Sequence, residues 1–180
     1  VEAVLRVLAC LLLGGRVLLV ADAQSLLVLA AEALLELLQP FAWTGPCIYI
    51  PVLPAALLDV LDSPSFFLCG VTAATARTIR TLPDDVLVAR LDSGAVARGP
   101  ALPPQPPPLE AELRANIRKV IFPRRGCCDS PAWTPRTLPY PDDPDAFNER
   151  MQTVFFAFFA HMLQDCRDYV VFQNVVPKPA

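Results

Sequence analysis

Short runs of β-forming apolar residues alternate with leucine-rich helical segments between residues 1 and 99. The run from Arg16 to Ala21 is apolar at successive positions, which is typical of a strand buried on both faces of a parallel sheet. Further strands are predicted at 47–50, 66–71 and 86–90, with a short return strand at 95–98. Because strand–helix–strand alternation with short connections favours parallel pairing beneath helices, we predict an α/β fold with a mostly parallel sheet layered with helices.

Helices are predicted between these strands at 1–13, 23–38, 55–61 and 72–80. Asp22 is a candidate N-cap for the second helix, and Pro40 should stop it. The polar residues of that helix form one narrow stripe, so we expect it to be packed on most sides. Pro54 is well suited to open the third helix, because proline fits a first helical turn.

The composition changes after Gly99, where a proline-rich segment at 100–108 begins. We expect a polyproline II spacer there, with an SH3 ligand as the alternative that its P-x-x-P spacings leave open. Helices are predicted at 109–122 and, capped by Asp145, from Ala146 to about Phe172. The predicted organisation is an α/β segment at 1–99, the linker at 100–108 and a small all-helical annex at 109–180.

Composition and charge exclude several classes of function. With 15 basic and 18 acidic residues, the chain lacks the basic excess that nucleic-acid binding requires. Its longest uncharged stretch, 37–58, carries four prolines and does not suit a membrane-spanning helix. At 54% hydrophobic and 18% charged, the chain is more apolar than most soluble domains, so we expect further protein to cover it. Val1 at the first position indicates a part of a longer protein.

Residues suited to acid–base or metal chemistry are sparse. His161 is the single histidine, and its polar neighbours on the helix indicate a solvated side chain rather than a catalytic base. The six cysteines include no C-x-x-C pair, which favours free thiols in a reducing compartment. The sequence also lacks the glycine-rich motifs that cradle nucleotides. We therefore expect no cofactor and no metal.

Several blocks of the sequence resemble the central segment of the DENN family. They comprise R-V-L-L-V-A, the leucine-rich helix ending in Q-P-F-A-W, I-Y-I-P-V-L-P-A-A-L-L-D-V-L and S-P-S-F-F-L-C-G-V, all between Arg16 and Val71. The later run V-F-F-A-F-F-A-H-M-L resembles the downstream DENN segment. The I-Y-I-P-V-L-P run is most similar to the myotubularin-related, SET-binding-factor branch of the family.

This resemblance implies exchange of GDP for GTP on a Rab-type small GTPase, by stabilisation of the nucleotide-free GTPase. Such a factor needs no acid, base or nucleophile. The implied partners are a Rab-family GTPase and the upstream longin-like lobe of the same protein. The implied location is cytoplasmic, with peripheral recruitment to vesicle or endosomal membranes. Two alternatives remain open, namely a non-catalytic DENN-fold scaffold or membrane-trafficking adaptor, and a small-molecule enzyme on an α/β scaffold.

Open parallel sheets present their binding sites on the loops that follow the strands. Under the DENN resemblance, we expect these loops to contact the GTPase. The candidate partner-binding residues are Trp43, Tyr49, Pro51, Pro54 and Asp59.

Overall fold

The computed structural model describes residues 2–41, 47–103, 107–121, 143–164 and 166. The chain divides into two compact units, 1–105 and 106–180, and each is treated separately below.

A five-stranded, mostly parallel sheet forms the centre of the first unit, as the strand pattern predicts. The strands are β1 (Arg16–Ala21), β2 (Ile48–Ile50), β3 (Phe67–Thr72), β4 (Val86–Arg90) and β5 (Ala95–Arg98). Their order across the sheet is β2-β3-β1-β4-β5, and only the β4–β5 pair is antiparallel. The central strand β1 is buried along nearly its whole length, which explains its uninterrupted apolar sequence. The predicted α/β fold class is confirmed.

Two helices, α1 (Glu2–Leu12) and α2 (Gln24–Leu37), cover the sheet. The first packs against β1, β4 and β5, and the second against β1 and β3. As predicted, α1 ends at the Gly14-Gly15 pair, where Gly14 adopts a left-handed φ of 66°. A Cβ at Gly15 would lie 2.4 Å from the Sγ atom of Cys10, so glycine is also required for the close approach of the chain.

Two predictions for α2 are wrong. Asp22 does not cap the helix, because Ala23 occupies the N-cap position without a side-chain hydrogen bond. The backbone N–H of Asp22 instead donates to Oδ2 of Asp92, 3.0 Å away, so Asp22 belongs to the edge of the sheet. The helix is also not packed on most sides, since its buried residues form one face and Leu29 is 68% exposed.

The other face of the sheet is covered by a 3₁₀ helix at Ala55–Asp62 and by α3 (Ala73–Ala76). Pro54 is the N-cap of the 3₁₀ helix rather than its first residue, and a kink at Leu57 prevents the regular helix that the pattern predicts. The helix predicted at 72–80 is only four residues long. Thr72 caps it by accepting a hydrogen bond from the N–H of Thr75.

The second unit contains α4 (Pro107–Ile121) and α5 (Pro144–Leu163), which pack against each other. Leu113 and Ile117 of α4 are buried, as the helical spacing predicts, and so are three phenylalanines of α5, Phe155, Phe158 and Phe159. The rings of Phe158 and Phe159 lie 5.5 Å apart and are tilted by 60°.

The helix boundaries of this unit differ from the prediction at both N-termini. The predicted linker at 100–108 is too long, because Pro107 and Pro108 already form the first turn of α4. The cap of α5 is Asp143 rather than Asp145, and its side chain accepts a hydrogen bond from the N–H of Ala146 at 3.0 Å. Residues 122–142, most of the predicted proline-rich loop, and 167–172, the predicted end of the last helix, lie outside the described residues.

Candidate partner-binding surface

Tyr49 lies on β2, the strand at one edge of the sheet. Its hydroxyl donates a hydrogen bond of 2.6 Å to Oε1 of Glu32 on α2. Burial raises the pKa of Tyr49 above its usual range, and the hydrogen bond and negative charge of Glu32 raise this pKa further. The phenol is therefore neutral at physiological pH, and it joins the edge strand to the helix above it.

The chain that follows β2 is held tightly against β3. The N–H of Leu53 donates to the carbonyl of Gly70 at 2.7 Å, and the Leu53 side chain is buried. A Cβ at Gly70 would lie only 2.1 Å from the carbonyl oxygen of Pro51. Pro51 is thus fixed in position by the close approach of two backbones, which makes this loop a rigid part of the surface.

Pro54 and Asp59 are exposed on the 3₁₀ helix. This helix packs against the sheet face that receives Ile48 and Ile50, whereas Tyr49, between these two in sequence, points toward α2. The structure therefore places Tyr49 on one side of the edge strand and the 3₁₀ helix on the other.

The four candidates within the described residues lie along the edge strand, on both of its faces. Tyr49 and Pro51 are neighbours on β2 and the loop after it, while Pro54 and Asp59 flank the same strand from the opposite face. Trp43 lies outside the described residues. What the structure brings together is a continuous edge of the first unit rather than a pocket.

An apolar patch on α2 was not predicted from the sequence. It consists of Leu26, Val28 and Leu29, which are 37%, 39% and 68% exposed. Leu26 and Leu29 are three residues apart and share a helix face, and Glu32 continues the same row toward Tyr49. Exposed apolar side chains beside a polar rim are typical of protein interfaces. The only signal in the sequence was the unusually high apolar content of this helix.

The carboxyl ends of the parallel strands form a second polar edge. There the N–H of Leu91 donates to the carbonyl of Val20 at 2.9 Å, and Asp92 accepts from the N–H of Asp22. In the described ranges, no polar or charged side chain is buried, and no three His, Cys, Asp or Glu side chains are grouped to hold a metal ion.

His161 lies on α5 in the second unit, away from these residues in sequence. It is exposed, as predicted, and its Nδ1 atom lies 4.0 Å from Oε2 of Glu112 on α4. A solvent-exposed pair of this kind contributes little to stability.

No helix within the described ranges has both the length and the apolar character needed to cross a lipid bilayer.

Comparisons with known proteins identify relatives that match most of the chain. Human DENN domain-containing protein 2A is 30% identical over 87% of the chain. The DENN domain and WD repeat-containing protein SCD1 of Arabidopsis thaliana is 26% identical over 94% of the chain. Human DENN domain-containing protein 2C is 40% identical over 48% of it. The chain spans about 15% of the length of the first two relatives and 9% of the third.

The family comparison agrees with the residues that carry the resemblance. The sequence model of the DENN (AEX-3) domain matches residues 1–94, which include all the strands up to β4 and the helices that cover them. The assignment to the myotubularin-related branch stays a prediction. On the match to residues 1–94, the chain belongs to the DENN family.

Proposed function

We propose that this chain is part of a guanine-nucleotide exchange factor for a Rab-type small GTPase. The observation that carries the proposal is the DENN match over residues 1–94. Exchange activity is the function that the family implies. The structure is compatible with it because the first unit offers an exposed edge with apolar and polar side chains, which suits a protein partner.

The proposed mechanism requires binding rather than bond chemistry. A GTPase with bound nucleotide and a nucleotide-free GTPase are two states, and a factor that binds the second more tightly shifts the equilibrium toward it. GDP then leaves, and GTP replaces it. In this mechanism the chain supplies no acid, base or nucleophile, and needs no cofactor of its own.

The proposed contact surface combines the edge strand with the apolar patch on α2. Tyr49 and Pro51 are held rigidly by Glu32 and by the approach to Gly70, so little conformational freedom is lost on binding. Leu26 and Leu29 supply apolar area next to them. We further propose that the upstream longin-like lobe of the same protein completes the GTPase site, and that the protein acts in the cytoplasm at vesicle or endosomal membranes.

The direct test is GDP release from a panel of Rab GTPases, measured by loss of a fluorescent GDP analogue. The protein should be tested with its upstream lobe, and exchange should be accelerated for one or a few members of the panel. Replacing Tyr49 and Leu29 together by alanine should reduce the rate at least tenfold, since a tyrosine anchor at the centre of an interface contributes about 2 kcal/mol or more and about 1.4 kcal/mol corresponds to a factor of ten.

Arg150→Ala, on an exposed position of α5, is the matched control and should leave the rate unchanged. GTPase binding without accelerated GDP release would instead support a scaffold or trafficking adaptor on the same fold. An absence of both binding and release across the whole panel would contradict the proposal.

A further inference from the structure

Three arginines of the first unit are exposed. Arg77 and Arg80 follow α3 on the crossover from β3 to β4, and Arg90 is the last residue of β4. Within the described residues, none of these three side chains makes an ion pair or a hydrogen bond. The other two strand arginines differ, because Arg16 pairs with Asp85 and Arg98 with Asp84.

The crossover and the end of β4 occupy the same face of the sheet. Ala76 and Ile79 on the crossover, and Val88 on β4, all pack against the same buried cluster. Since side chains alternate along a strand, Arg90 points to the face that receives Val88.

The register of the sheet places Arg90 near the beginning of the crossover. Val20 is paired with both Val71 and Arg90, so the three residues lie at one level. Two interstrand spacings, about 10 Å, separate Arg90 from Val71, and α3 begins two residues after Val71. Because α3 packs against β1 as well as β3, the crossover passes over β1, the strand between β3 and β4.

The local backbone fixes the two arginines on the crossover. The N–H of Thr78 donates to the carbonyl of Thr75 at 2.9 Å, and the N–H of Ile79 donates to the carbonyl of Ala76 at 3.3 Å. These bonds continue the turn after α3, and the apolar side chains beside them are anchored in the core. Arg77 and Arg80 are therefore presented outward from an ordered segment, with the exposed Thr81 hydroxyl next to them.

We propose that Arg77, Arg80 and Arg90 form a docking surface for the anionic headgroups of a phospholipid membrane. Guanidinium groups bind phosphate oxygens through paired hydrogen bonds, and cationic side chains are attracted to the negative surface of a cytoplasmic leaflet. The chain as a whole is acidic, with a net charge of −3, so three unpaired arginines on the crossover and at the end of β4 would orient it on such a surface.

A membrane fits this surface better than a protein partner does. Arginine is frequent at the energetic centres of protein interfaces, but there it lies in desolvated pockets together with aromatic and apolar side chains. The exposed large apolar side chains of the described residues lie on α1, α2, the 3₁₀ helix and α5 and beside α1, but none lies on the crossover or on β4. Contact through these arginines is thus almost purely electrostatic. It is distinct from the proposed GTPase surface and does not depend on exchange activity.

The test is co-sedimentation of the purified protein with vesicles of phosphatidylcholine and phosphatidylserine, compared with vesicles of phosphatidylcholine alone. We expect binding only to the first. Raising the salt from about 0.1 M to about 1 M should abolish it, because the Debye length falls from about 10 Å to about 3 Å. The triple variant R77Q/R80Q/R90Q should bind about a hundredfold more weakly, since each arginine near an anionic surface contributes about fivefold.

The control variant R118Q/K119Q/R150Q removes three positive charges from exposed positions of α4 and α5 and should bind like the wild type. Circular dichroism and thermal unfolding check that each variant is folded. If the triple variant does not fold, R77Q/R80Q replaces it, with an expected loss of about 25-fold.

Three results would overturn the proposal. They are failure of the wild type to bind the anionic vesicles, equal losses in the test and control variants, and vesicle binding by the folded triple variant that equals that of the wild type. Because no GTPase is present in the vesicle assay, its failure leaves the exchange proposal standing, and an inactive exchange assay leaves this one standing.

Discussion

At the scale of single residues, three cysteines differ in burial and therefore in expected thiol reactivity. Cys10 and Cys69 are buried, and burial raises the pKa of each thiol from 9.0 to about 11. For Cys10, the nearby charge of Asp85 adds to the effect of burial. Cys166 is exposed. Since the thiolate is the reactive form, reactivity at neutral pH should follow these environments.

We predict that iodoacetamide at neutral pH modifies Cys166 rapidly and leaves Cys10 and Cys69 unmodified while the protein is folded. Peptide mass spectrometry at successive times measures each site, and the same reaction in urea gives the unfolded control. Early modification of Cys69 in the folded protein would contradict the burial described above.

Both buried thiols are neutral below pH 9 and lose their protonated form as the pH rises toward 11. The stability that they contribute should therefore be lost over that interval.

Gly70 provides a second prediction for a single residue. In Gly70→Ala, the new Cβ would lie 2.1 Å from the Pro51 carbonyl oxygen and 3.2 Å from a methyl carbon of Leu27. Because the nearest atom is backbone, relief requires the strands to separate, and we expect a loss of about 3 kcal/mol in the free energy of unfolding. Urea denaturation measures it.

The control for this substitution is Gly94→Ala. Gly94 has a positive φ of 63° and no other atom within 4 Å of its Cβ position, so it tests backbone strain without a clash. Its expected cost is about 1 kcal/mol. Equal costs at the two glycines would show that the approach of Pro51 to β3 is not a rigid contact.

At the scale of elements, the sequence predicted strands better than helix ends. The run Val17–Ala21 has few alternatives, because five successive apolar residues rich in β-formers suit a short strand buried on both faces. Asp22 satisfies the usual rule for an N-cap. However, it directly follows β1, where its backbone N–H donates a hydrogen bond to Asp92, 70 positions later in the chain. A distant contact of this kind cannot be read from local sequence.

The exposed face of α2 is a different kind of error. Exposed apolar residues on a helix have the same sequence pattern as apolar residues in a core. The exposed Leu29 and the buried Leu27 therefore cannot be distinguished by residue type. The same ambiguity explains why the apolar patch on α2 was not predicted, since Leu26 and Leu29 were assigned to the core. Tyr49 and Pro51 were chosen from their place within or after a strand, and their contact with a partner stays a prediction.

The N-terminus of α5 was predictable in principle. Within Asp142-Asp143-Pro144-Asp145, proline suits the first helical position, which assigns the cap to Asp143. We predict that Asp143→Ala removes the hydrogen bond to the N–H of Ala146 and weakens the first turn by about 1 kcal/mol. Amide hydrogen exchange over 144–150 should accelerate about fivefold.

Asp145→Ala is the matched control for the cap. It removes one carboxylate from the first turn and only a charge–dipole interaction, which contributes about 0.3–0.5 kcal/mol on an exposed helix. Exchange should then accelerate less than in Asp143→Ala. Faster exchange in Asp145→Ala than in Asp143→Ala would instead indicate that Asp145 is the cap.

At the scale of the whole molecule, the described contacts divide into two compact units. All five strands and the helices that cover them belong to 1–105, and the DENN match ends within this unit. The cluster beneath the 3₁₀ helix draws its residues from 18–88 alone. A unit that contains its own sheet, both covering layers and its own buried cluster meets the usual conditions for independent folding.

We therefore predict that residues 1–105 alone form a folded protein. Circular dichroism should show mixed helix and strand. Urea unfolding should be cooperative, and the dependence of the unfolding free energy on urea concentration should match the surface area that such a unit buries.

The exposed leucines of α2 favour aggregation of the isolated unit. Leu29→Gln should therefore increase solubility and change the free energy of unfolding by no more than about 0.5 kcal/mol. Leu27→Ala, at a fully buried position two residues away, should cost about 2–5 kcal/mol. If residues 1–105 unfold without cooperativity in both the parent and the Leu29→Gln form, the sheet depends on contacts beyond this unit.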